Sequence, residues 1–159
     1  MTQNYVNDVL IKLFESVTIK DKEGNDVSIF IIDNGKYIDI NYEFEEFTRP
    51  STGVWYALHF LPSQPEQIEL GHNAMNEWSG IFQIDVCVIK SIKTIGLSGE
   101  GPGVKDYFDT AYAAIAEVMK RGVIQNRVHI TGIGRSSAVD NGDYYTLPIS
   151  VRWYANLSN

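Results

Sequence analysis

Cysteine is nearly absent. The single one, Cys87, excludes an internal disulfide and any thiolate-rich metal site. It falls in the middle of an apolar, strand-like run, where a buried, inert thiol is expected. Long apolar stretches are missing too, and none approaches the ~18 residues that a membrane span needs. The first residues, MTQNYVNDVLIKLF, lack the basic start and apolar stretch of a signal peptide, so synthesis and use in a cytoplasm are expected. Cations are scarce in the middle of the chain. Residues 21–89 hold three basic side chains (Lys22, Lys36, Arg49) against twelve acidic ones, a net of −9. Residues 1–20 balance to zero, and residues 90–159 carry eight basic against six acidic, a net of +2. This argues against specific nucleic-acid binding, which needs cations to replace phosphate counterions. The acidic third is either a solubilising surface or, more pointedly, a lining past which DNA moves without sticking.

Catalytic and cofactor constellations are also missing. Gly99-Glu100-Gly101-Pro102-Gly103 precedes a helix, but a dinucleotide fingerprint needs a third glycine where Val104 or Asp106 stands. No Gly-Lys-Ser/Thr follows, and Glu100 would repel a phosphate, so a connecting loop accounts for the run. His59, His72 and His129 have no metal-ligand spacing, although paired strands could bring His59 near His129. Ser136 and Ser137 are not in a nucleophile elbow and have no specific base or acid partner. The pair Glu45-Glu46 reads as solvated charge. No catalytic, cofactor-binding or metal-ligating residue is therefore assigned, and an enzyme has no residue-level support.

What is present is a patterned chain of 159 residues, 44% hydrophobic, enough for one domain spanning 1–159 with a real core. Tyr5, Val6, Val9, Leu10, Leu13, Phe14 and Val17 recur at helical spacing, and Thr2 can cap that helix. A second stripe, Phe108, Ala111, Tyr112, Ile115, Val118 and Met119, predicts another helix closed by Gly122. Two β-branched runs flank Asn34-Gly35, which predicts a hairpin over residues 27–42. Strands are predicted near 55–61, 81–89, 127–134 and 144–155, the last alternating Tyr145, Leu147, Ile149, Val151 and Trp153 against polar neighbours. Pro148 on the polar side of that strand suggests an edge or a bulge. The expected fold class is α+β: a single antiparallel sheet of about four long strands, two amphipathic helices packed on one face, and an extra N-terminal β-hairpin. Tyr144 and Tyr154 fall opposite Tyr145 and Trp153, either as interface aromatics or as plain strand formers.

Four patterns in order carry a family likeness. They are Asn41, Phe47 and Pro50; WYALHFLPSQPEQIELG; GIFQIDVCV; and YYTLPISVRWYA. Together they span most of the chain from Asn41 onward, ending at Ala155. The chain resembles the phage tail terminators, in particular the lambda-like ones, small proteins that cap the tail tube of long-tailed bacteriophages. The resemblance implies a virion tail protein assembled in the host bacterial cytoplasm. It implies a ring of six copies that stacks on the last ring of the major tail tube protein, stops tube growth and presents a surface to head-completion or connector proteins. DNA would only pass through the lumen, and neither cofactor nor membrane is implied. The residue 62–78 arm and the residue 43–49 segment are long and polar, which makes Glu43, Glu45, Glu46, Arg49, Glu66, Gln67, Glu69, His72 and Trp78 the candidate interface or lumen residues. A head–tail connector or a tail-tube subunit is the rival reading, and a small enzyme of unrecognised type the third. Residues 27–42 have no counterpart in the family pattern and are expected to decorate the ring.

Overall fold

The computed structural model describes residues 3–62, 66–67, 75–91, 103–120, 123–124 and 127–158. Helix α1 (Gln3–Glu15) carries the predicted stripe, with Val6, Val9, Leu10 and Phe14 buried and Val17 buried just beyond its end. Its last carbonyls are satisfied by a tightened turn, Ser16 N–H to Leu13 and Val17 N–H to Phe14 at 3.2 and 3.1 Å. Strands β1 (Thr18–Lys20) and β2 (Asp26–Ser28) then pair antiparallel. The Asp21 carboxylate shapes their turn by accepting the Glu23 and Asn25 N–H groups at 2.9 and 2.8 Å. Strands β3 (Ile32–Asp33) and β4 (Lys36–Tyr37) close around Asn34 and Gly35, whose φ angles of 51° and 73° suit a primed hairpin turn.

The main sheet follows. It comprises β5 (Ile40–Asn41), β6 (Val54–Pro62), β7 (Glu66–Gln67), β8 (Met75–Ile89), β9 (Val123–Ile124), β10 (Val128–Arg135), β11 (Val139–Asp140) and β12 (Tyr144–Ser158). Its order is β5-β6-β8-β12-β10-β9, with β7 on β8 and β11 on β12. Helix α2 (Gly103–Met119) lies between β8 and β9 in the chain.

This corrects the expected fold class. Among the described residues the protein is mostly β, with a main sheet of six strands in path plus two short ones, two separate two-stranded sheets, and only two helices. It is not one four-stranded antiparallel sheet with a hairpin appended, and its β5–β6 edge is parallel. The hairpin forms around Asn34-Gly35 but pairs only Ile32 with Tyr37 and Asp33 with Lys36, because residues 27–42 do not bury one shared face. Val27 pairs back to Ile19, Ile40 pairs with Tyr56, and Ile29, Phe30 and Ile40 sink into the core between those contacts. Ile29, Phe30, Asp39 and Ile40 therefore tie the segment to the core, while Ile31, Ile32 and Ile38 stay exposed. Strand β8 also starts earlier than expected, because it runs in register with β12 from Tyr144↔Ile89 to Ser158↔Met75.

Pro148 is neither on an edge strand nor at the bulge, which lies between Ile130 and Gly132 of β10. Its carbonyl accepts the Ser136 N–H at 3.0 Å, so its nitrogen faces the break between β10 and β11. No ladder donor is needed there, and the proline is tolerated.

Alternation gives the sheet two different faces. The inner face stacks Tyr56 and Leu58, then Phe82, Ile84 and Val86, then Leu147, Ile149 and Val151. These form one buried cluster with both helices, Tyr107, Phe108, Ala111 and Ile115 coming from α2. Phe14 is the hub of an aromatic group, 4.8 Å from Phe30, 5.9 Å from Tyr56 and 6.3 Å from Phe82 between ring centroids. The Tyr56 and Tyr107 hydroxyls satisfy each other at 2.5 Å, and burial pushes both phenols upward, keeping them neutral. Each such burial contributes roughly 1.5–3 kcal/mol, which holds the helices on this face and leaves the outer face for other contacts.

Candidate functional site

Among the described residues no helix covers the outer face, whose character changes along the strands. At one end Trp55, Cys87 and Thr146 are buried, and the Asn141 amide donates to the Thr146 hydroxyl at 2.6 Å. Arg49 straps this end: its guanidinium lies 4.6 Å from the Trp55 ring centre and 4.7 Å from that of Tyr144, and donates to Asp143 at 2.8 Å. Burial pushes the Cys87 thiol up to about 11, so it is an inert thiol. In mid-sheet, His59 lies 3.2 Å from Asp85, which also accepts from Gln83 at 2.9 Å.

At the other end a row crosses the sheet by register, Leu61 on β6, Ile81 on β8, Arg152 on β12 and Gly132 on β10. Leu61 is 52% exposed. Leu61, Ile81 and Arg152, with Thr131 and Tyr154, surround a shallow, largely apolar pocket of about 420 Å³. His129 stacks flat on Tyr154 at 4.5 Å. His59 and His129 are thus separated along the sheet, each with its own partner. Among the described residues no three His, Cys, Asp or Glu side chains converge on a metal position.

The β5–β6 edge carries the second feature. β5 stops at Asn41, and Glu43 takes over by accepting the Phe60 N–H at 2.5 Å, which satisfies the edge donor left over. The chain then turns, with Glu45 N–H to the Tyr42 carbonyl at 3.3 Å. Glu45 and Glu46 are exposed on the rim of an open concavity of about 740 Å³ shared with Glu15, Lys36 and Tyr42. The Tyr42 hydroxyl donates to Glu15 at 2.6 Å, and burial followed by that carboxylate drives its pKa upward.

The candidate residues therefore fall in several places. Glu43, Glu45 and Glu46 share one turn. Arg49 sits apart as the strap over Trp55. Glu66 and Gln67 form β7, opposite Glu77 and Asn76. Trp78 is half-buried and packs against the core cluster. Glu69 and His72 lie outside the described residues. Sequence reasoning missed Phe44, Leu61 and Arg152. Phe44 is 100% exposed with φ at 63°, in the left-handed region where a bulky residue is an outlier. Nothing in the run EFEEF announces that turn, whereas Leu61 and Arg152 could have been placed on the outer face by alternation.

Replacing Arg49 with alanine is expected to lower stability by about 1 kcal/mol, since two exposed-site cation–π contacts are lost. Trp55 becomes wetter, so intrinsic fluorescence should shift to the red. An unchanged spectrum and an unchanged urea midpoint would show that the strap holds nothing.

Comparison with known proteins follows the same outline. A family profile described as phage tail terminator protein matches residues 33–153. Eleven chains of solved structures match as well. One of these superposes with a TM-score of 0.58 at 16% identity, covering 99% of this chain and 96% of that chain, a likeness of fold alone. No curated protein sequence matches.

Proposed function

Because this chain belongs to the phage tail terminator family, we propose that it caps the end of the tail tube as a ring of six copies. Its role is structural, in the phage tail. One face of the ring stacks on the last ring of the major tail tube protein and stops growth, and the other receives head-completion or connector proteins. Assembly takes place in the host bacterial cytoplasm, and DNA passes through the lumen without specific contact.

The family match over residues 33–153 is the observation that carries this reading. The fold supports it physically. A cyclic ring needs two different patches on each subunit, and this chain offers an acidic edge turn and, at the Leu61–Arg152 end, an outer sheet face that neither described helix covers. Glu43, Glu45, Glu46, Arg49, Glu66, Gln67, Glu69, His72 and Trp78 are proposed contact or lumen positions. The acidic ones would keep a DNA path free of cations.

Native mass spectrometry and light scattering test the ring, and electron microscopy with preassembled tubes tests the cap. Closed rings that bind tube ends are expected. Long tubes of this protein alone would favour the tube-subunit reading instead. A protein that stays monomeric at every concentration and leaves tube ends bare would overturn the proposal.

A further inference from the structure

We propose that Phe44 of one copy seats in the pocket framed by Leu61, Ile81 and Tyr154 of the next copy, where that copy's Arg152 meets Glu45 and Glu46. The proposal rests on the ring reading above and names the contact that closes it.

Phe44 gains nothing within its own chain. It is 100% exposed, and its backbone is held at φ 63°, where asparagine or glycine would sit without strain. The turn that holds it is anchored, because Glu43 is bound to the Phe60 N–H and Glu45 N–H to the Tyr42 carbonyl. The result is a rigid aromatic knob with carboxylates beside it. Such a residue repays its exposure only in a partner, and aromatics and arginines dominate interface energetics.

The pocket has the complementary chemistry. Its volume of about 420 Å³ accommodates a benzyl group, and its lining is largely apolar, with Leu61 52% exposed. Arg152 is exposed at its wall, and among the described residues no acidic group pairs with it. An apolar socket with an arginine at its wall fits an aromatic knob flanked by carboxylates. The knob stands at the β5–β6 edge, while the pocket opens on the sheet face from Leu61 on β6 across to Thr131 on β10. Knob and socket are different patches of one subunit, as a head-to-tail contact requires, the kind that closes into rings.

The test compares ring assembly of the full chain with that of Phe44→Ser, Arg152→Glu, Glu45→Lys with Glu46→Lys, and the three-site charge swap combining the last two. Light scattering across a dilution series gives the assembly midpoint, and circular dichroism confirms that each variant folds. Phe44→Ser and Arg152→Glu are each expected to raise the midpoint about tenfold or more. The charge swap should recover most of the loss suffered by Arg152→Glu alone. If the unaltered protein forms rings and both single variants form them at the same midpoint, the knob contact is wrong while the ring stands. If the unaltered protein never assembles, the ring reading falls and takes this contact with it.

Discussion

Replacing Phe14 with alanine is expected to destabilise the fold by about 3–5 kcal/mol, the range for truncating a buried phenylalanine in a packed core. Phe14 is fully buried, and it touches three separate parts of the chain at once. It brings α1 against Phe30 from the 27–42 segment, Tyr56 from β6 and Phe82 from β8. Removing the ring leaves a cavity bounded by three aromatics and the β-branched residues of the inner face, which cannot collapse into it without leaving their rotamers. Phe14→Leu keeps most of the volume and should cost clearly less. Urea unfolding followed by circular dichroism gives both numbers. A loss below ~1 kcal/mol for the alanine variant would show that α1 docks by other contacts and that the aromatic group is incidental.

Stability is also expected to rise as pH falls through the range in which Asp39 takes up a proton. Asp39 is buried, at 3% exposure, and burial raises its carboxyl from 3.8 to about 6 despite the hydrogen bond from Ile31 N–H at 3.1 Å. Its own carbonyl accepts the Tyr56 N–H at 2.8 Å, so the residue pins the 27–42 segment to the edge of the main sheet. A group whose folded value lies above its unfolded one binds protons more tightly in the native state. Its contribution is fully present below the unfolded value and is lost as pH rises through the folded one. Between about pH 5 and about pH 7.5 this single carboxyl should therefore withdraw about 1.4 kcal/mol. Asp39→Asn keeps an acceptor for Ile31 and removes the charge, so the variant should lack that part of the slope. Urea denaturation of both proteins at the two pH values isolates the term from the other carboxylates. Parallel pH profiles would show that Asp39 is solvated or already protonated in the native protein.

Much of the inner face was legible beforehand, because its signal is periodic. The stripe from Val6 to Phe14 and the alternation from Tyr145 to Trp153 report which side of an element is apolar, whatever that side later meets. The 27–42 segment was misread because its signal is local. Asn34-Gly35 does form a tight turn, but a turn does not say whether its flanks pair with each other for two residues or for six. That depends on whether Ile29, Phe30 and Ile40 find the core, which is a long-range matter. Pro148 illustrates the same limit, since the absence of a donor matters only where a neighbouring strand asks for one, and the break between β10 and β11 asks for none.

The candidate surface divides in the same way. Composition alone made the middle third acidic, and the ordered patterns from Asn41 onward pointed to the phage tail, because charge and strand periodicity are properties of the chain itself. Only the folded molecule separates Glu43, spent on the β6 edge, from Glu45 and Glu46, left in solvent, and makes Arg49 a strap over Trp55. Only it lifts Phe44 out of the surface and sets Leu61, Ile81 and Arg152 in one row. Those distinctions arise from strand register and from where β5 runs out. Both are settled by the packing of segments far apart in the chain, and no short stretch of residues encodes them.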